Sequence, residues 1–147
     1  NISNIKEVLI DKLNGPFWWH DPPVDPNAYK KRGKFLSSTY TQAENYGRPN
    51  IDPEKVSISR PVYGFTEKEI LRQLFANRSK SLFKIVDRLN ESDESSSYRK
   101  RIALDAKMYK RAKKMGYDAI VLLTPVSRKA LEKNRKPNSI ELNLLNV

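Results

Sequence analysis

"GYDAIVLLT", residues 116–124, decides the fold. An apolar run of this length without polar alternation reads as a strand covered on both faces. The residues before it, Arg99 to Met115, follow a helical pattern with Ile102, Ala106, Tyr109 and Ala112 inward and lysines outward. Gly116 then takes the position just past the last turn, where a left-handed residue closes a helix. Downstream, "SIELNLLN" (139–146) alternates Ile140, Leu142 and Leu144 against Glu141, Asn143 and Leu145, the pattern of a second late strand with one polar face. Glu141 belongs to that face, in a strand where β-propensity disfavours it.

Working outward, Ser3 can cap a first helix whose Ile5, Val8, Leu9 and Leu13 share one face, and Asn14-Gly15-Pro16 stops it. "FWWH" (17–20) is a short aromatic strand, and "DPPVDPN" (21–27) is a loop because each proline lacks a donor and restrains its neighbour. In "GKFLSSTYTQAENYG" (33–47), Lys34 to Ser37 read as a strand running into a helix start, and Thr39-Tyr40-Thr41-Gln42 has the form of a capping box. Residues 48–55 form another proline-punctuated loop, after which Val56 and Ile58 alternate with Ser57 and Ser59 as one exposed strand. Thr66 with Glu69 makes a second capping box ahead of the stripe Ile70, Leu71, Leu74 and Phe75. A helical segment with Leu82, Ile85, Val86 and Leu89 follows a break at Asn77-Arg78-Ser79, and "NESDESSS" (90–97) is a polar loop.

A chain of 147 residues is long enough for a single domain, 1–147, with one core. No apolar run approaches the roughly 20 residues of a membrane span, and a soluble, cytoplasmic protein is expected, or one delivered into a target cell's cytoplasm. With no cysteine, a disulfide framework, a Cys nucleophile and a Cys-ligated zinc are excluded, and one histidine makes a His-built metal site improbable. Lys and Arg number 28 against 17 acids, a formal charge of +11, which favours a polyanionic partner such as nucleic acid, a nucleotide or an acidic protein surface. The cations cluster at Lys30 to Lys34, Arg99 to Arg101, Lys107 to Lys114 and Arg128 to Lys136.

The joint "SSTYTQ" (37–42) carries three small hydroxyls where a helix N-terminus presents unpaired N–H groups, an arrangement suited to phosphate or carboxylate as well as to ordinary capping. His20, beside Trp18, Trp19 and Pro22, reads either as a ligand-orienting donor or as a packed, hydrogen-bonded histidine. Glu141 reads as an outward-facing residue or as a functional carboxylate. No nucleophile elbow, Walker loop or Rossmann glycine fingerprint is present.

Taken together, three stretches resemble the ADP-ribosyltransferase superfamily, the fold of mono-ADP-ribosylating toxins and poly-ADP-ribosylating enzymes. "FWWH" is similar to the aromatic strand that ends in His or Arg and touches the adenosine side of NAD. "GKFLSSTYTQAENYG" is similar to the aromatic-hydrophobic-Ser-Thr-Ser strand with its following helix. "GYDAIVLLTP" with "SIELNLLN" is similar to the paired late strands of small bacterial and phage members, the last of which begins with the catalytic Glu. The resemblance spans about Phe17 to Asn146 and implies an α+β domain of split antiparallel β-sheets flanked by helices, with NAD as substrate and no metal. It assigns Glu141 to the ribose hydroxyls, Ser37 to orienting Glu141 or the ribose, and His20 to the adenosine ribose. Ser38, Thr39 and the helix start would offer donors to NAD, and Phe35, Tyr46 and Tyr40 would wall the nicotinamide. The sequence departs from the pattern at Asp21-Pro22 after His20, at Ser38-Thr39, and at Ser139, where arginine-modifying members carry an acid.

The expected activity is therefore transfer of ADP-ribose from NAD to a protein or nucleic-acid acceptor, and the small size would suit a phage or bacterial conflict role. The alternatives are a non-enzymatic basic module that binds nucleic acid or a nucleic-acid-binding protein, with Arg99 to Lys114 as contact helix, and an inactive transferase fold kept as a scaffold.

Overall fold

The first apolar stripe folds into helix α1 (Ile5–Asn14), which buries Ile5, Leu9 and Leu13. The structure, a computed structural model of the chain, describes residues 5–20, 27–38, 53–91 and 95–146. Strand β1 (Trp19–His20), helix α2 (Ala28–Arg32) and strand β2 (Lys34–Ser37) follow. The middle of the chain forms strand β3 (Pro61–Gly64), helix α3 (Glu67–Phe75), a 3₁₀ turn (Ala76–Arg78), helix α4 (Ser79–Glu91) and helix α5 (Ser95–Lys114). Strand β4 (Ala119–Leu122), helix α6 (Ser127–Glu132) and strand β5 (Glu141–Leu144) complete the described elements.

The five strands form one sheet in the order β1-β2-β5-β4-β3. Its pairings are antiparallel except β3 with β4, which is parallel. The resemblance implied split antiparallel sheets, whereas the described strands form one mixed sheet. The parallel pair has a direct cause. Helices α3 to α5 lie between β3 and β4 and carry the chain back to its starting edge, the long crossover that parallel neighbours need. Fold class is thus mixed α and β, compatible with the expected α+β class.

Alternate rows of the sheet supply two cores. Leu36, Leu142, Val121 and Ala119 join Leu9, Leu13, Trp18 and Leu131 on one side. Val62 and Ile120 join Ile70, Leu71, Leu74, Leu104, Met108 and Ala112 on the other. Strand β4 therefore feeds both cores, which is why its sequence shows no polar alternation.

Several local expectations hold in detail. The Thr66 hydroxyl accepts from the Glu69 N–H, and the Glu69 carboxylate accepts from the Thr66 N–H, completing the box that starts α3. Gly116 has φ 88°, and Tyr117 N–H reaches Ala112 O at 3.0 Å to close α5. Others are corrected. Val56 to Ser59 form no strand, because Asn14 takes the backbone of Ile58, its Nδ2 donating to the carbonyl at 2.8 Å and its Oδ1 accepting from the N–H at 2.7 Å. The loop expected at 90–97 is shorter at both ends, since α4 runs to Glu91 and α5 begins at Ser95. Helix α5 buries Leu104 and Met108 beside Tyr109 and Ala112, while Ile102 and Ala106 are only half-buried. The helix expected to start near Thr39 lies outside the described residues.

An ion network ties α5 to the start of α3. Arg101 donates to Glu67 Oε1 through Nη1 and to Asp105 Oδ1 through Nη2, both at 2.9 Å. Burial raises the Asp105 carboxyl above the ordinary aspartate range, with the Arg101 charge pulling the other way. The two carboxylates hold Arg101 firmly in its charged form against its own desolvation. Arg101→Gln should cost about 1–3 kcal/mol at neutral pH by leaving two half-buried carboxylates without their cation. A raised folded-state pKa means that a protonated Asp105 favours the native state, so the deficit should shrink as pH falls toward about 4. Urea denaturation of both proteins at the two pH values checks this, and an equal deficit at both would contradict it.

Candidate functional site

The hydroxyl-lined end of β2 and the acidic start of β5 meet in register. Ser37 pairs with Glu141 across the antiparallel ladder, and the same row continues to Trp19 on β1 and to Leu122 and Gly64 on β4 and β3. Residues directly opposed in this way project to the same side of the sheet, with Cβ atoms about 4.5–5.5 Å apart. Glu141 and Ser37 are therefore neighbours on one face. Glu141 is exposed, Ser37 is buried and Ser38 is half-buried.

Two residues before Ser37, and so on the same face, stands Phe35, opposite Asn143. Phe35 is 42% exposed, although it is a large apolar residue in the middle of a strand. Helices α3 to α5 cover this face over β3 and β4, where Val62, Ile120 and Leu122 pack. An accessible aromatic ring, a hydroxyl and a carboxylate thus share the side of the sheet next to that helical layer.

Asn143 was expected on a polar face, yet it is buried at 5% exposure. Its Nδ2 donates to Arg32 O at 2.9 Å, while its Oδ1 has no hydrogen-bond partner. The reason is a close approach between chain segments. Gly33, with φ 83°, lies so near that a Cβ there would overlap Asn143 Oδ1 and crowd the Leu144 carbonyl. Gly33 thereby lets α2 turn directly into β2 while Asn143 anchors the turn to β5.

His20 pairs with Leu36, one position along from the Trp19–Ser37 row, so its side chain projects to the opposite face of the sheet from Ser37 and Glu141, and it is buried. Its Nδ1 lies 2.8 Å from Phe35 O, which can only accept, so Nδ1 carries a proton. In the neutral ring Nε2 then accepts from the Tyr29 hydroxyl at 2.7 Å. Both ring nitrogens are engaged within the protein, and the imidazole fastens β1 to β2 and to α2. The packed, hydrogen-bonded alternative describes His20 in this arrangement. Tyr29 had no signal in the sequence, being part of a helix of five residues that is too short to show a periodic pattern.

Of the remaining sequence candidates, Thr39, Tyr40 and Tyr46 lie outside the described residues. Among the described residues no group of three or more His, Asp or Glu side chains is placed to hold a metal ion, and no helix is long and apolar enough to cross a membrane. No family model matches this chain, and no curated protein or solved structure matches it significantly. Gly33→Ala should cost about 2 kcal/mol or more, combining left-handed strain with the Asn143 overlap. In thermal denaturation the companion Gly33→Ala/Asn143→Ala should recover part of the loss, and no recovery would remove Asn143 from the account.

Proposed function

We propose that the chain is an NAD-dependent mono-ADP-ribosyltransferase of α+β architecture. The observation that carries the reading is the cross-strand register of Ser37 with Glu141, which gives one face of the sheet a hydroxyl and a carboxylate side by side. The exposed ring of Phe35 on that same face supports it, offering an apolar surface for the nicotinamide.

In the proposed reaction the bond between the nicotinamide nitrogen and ribose C1′ breaks, and nicotinamide leaves as a neutral molecule with the bonding electron pair. Positive charge develops at C1′ in an oxocarbenium-like transition state. The acceptor's nucleophile then bonds to C1′ and its proton is released to solvent. Glu141 acts by lying against the ribose hydroxyls, where its negative charge is worth more in the transition state than in the ground state. Ser37 orients that carboxylate or the ribose. Phe35 walls the nicotinamide and turns water away from the breaking bond. His20, whose nitrogens brace β1 and α2, is assigned a positioning part: it fixes the edge against which the adenosine half would lie. Ser38, Thr39, Tyr40 and Tyr46 keep the cofactor-facing parts that the resemblance implies.

A second reading, a basic module or inactive transferase scaffold that binds nucleic acid without chemistry, is favoured by the formal charge of +11. Incubation with nicotinamide-labelled NAD separates the two. The wild type should release nicotinamide, and Glu141→Gln should lower the rate by about 10²–10³-fold with an unchanged melting temperature. Absence of release from the wild type in the presence of cell lysate would turn the choice to the binding module.

A further inference from the structure

The connection from β4 to β5 does more than reverse the chain. Helix α6 closes with Asn134 at φ 57°, its N–H bonded to Leu131 O at 3.0 Å and the Arg135 N–H bonded to Ala130 O at 2.8 Å. This left-handed closure folds Arg135 and Lys136 back beside Lys129 and Lys133. The four cations line a single pocket of about 530 Å³ that extends to Ser139, two residues before Glu141. Among the described residues no Asp or Glu lines it. Among the described residues none of the four forms an ion pair. Lys136 Nζ sits 5.4 Å from the centre of the fully buried Trp18 ring, and burial holds its pKa below the ordinary lysine value.

We propose that this pocket binds the phosphodiester backbone of a single-stranded nucleic acid and so selects the acceptor. The choice of acceptor rests on the transferase reading; the binding does not. Four cations lining one pocket give it a local positive field that attracts an anion. The pocket volume suits one or two nucleotides and is too small for a duplex. Successive phosphates of one strand can engage four cations in turn, which one phosphorylated side chain cannot. Val126, 77% exposed at the rim, adds an apolar surface for sugar and base. Helix α5 also carries exposed Lys107, Lys110 and Lys114, none of which lines this pocket. It serves as the control for bulk charge.

The test is fluorescence anisotropy of the full chain with a labelled oligothymidylate and a labelled oligouridylate about twelve nucleotides long, between about 50 and about 200 mM salt. Lys129→Ala/Lys133→Ala/Arg135→Ala/Lys136→Ala should weaken binding at least about tenfold and flatten the salt dependence by roughly two to three units of slope. Lys107→Ala/Lys110→Ala/Lys114→Ala should weaken it less than about threefold. If the fourfold variant fails to fold, Lys129→Ala/Lys133→Ala alone should still lower both affinity and slope. Stronger binding of one oligonucleotide tells DNA from RNA. Equal losses in the pocket and α5 variants would overturn the proposal, as would an absence of oligonucleotide binding or tighter binding of a phosphoserine peptide. Nicotinamide release assayed in parallel keeps the two readings apart: a wild type that releases none but binds through the pocket sinks the transferase and leaves the pocket standing.

Discussion

Strand β5 is hydrogen-bonded along both edges, to β2 and to β4, and the candidate site exists because of this double ladder. Register is set to the single residue. A slip of one position would send Glu141 to the side of the sheet where Leu36 and Val121 pack, and would expose Leu142 in its place. The apolar residues Leu142 and Leu145, both fully buried, therefore help fix the direction of the Glu141 carboxylate. Asn143, on the same face as Glu141, reinforces that register through its bond to Arg32.

The strands that bury apolar runs were legible in the sequence. β2, β4 and β5 stand where their residues indicated, as do α1, α3 and the break before α4. β3 was not, because Pro61 and Gly64 leave only two β-prone residues, and a parallel edge strand is defined by its neighbour β4 more than by its own letters. Val56 to Ser59 misled for the converse reason: the alternation is real, but the Asn14 side chain supplies the hydrogen bonds that a ladder would have given. Helices α2 and α6, of five and six residues, are too short for a period to register.

The site was legible in part. Glu141 stood out as an acid inside an apolar strand, and Ser37 as a hydroxyl at the end of one. Their adjacency was not readable, since it depends on which strands pair and in what register. Asn143 passed as one more polar residue on an outer face, and only the close approach of Gly33 explains its burial. The cluster from Arg128 to Lys136 was visible as charge, while its enclosure depends on the reversal at Asn134, a residue that tolerates the left-handed conformation better than most.

The strand order has a consequence for how the molecule comes into being. β5 follows every other described element along the chain yet sits at the centre of the sheet. During folding β2 and β4 must wait, with facing edges unsatisfied, until β5 inserts between them, a closure of long sequence separation and hence slow. Glu141 rides in on the inserting strand, so its pairing with Ser37 and the completed sheet arise in one event.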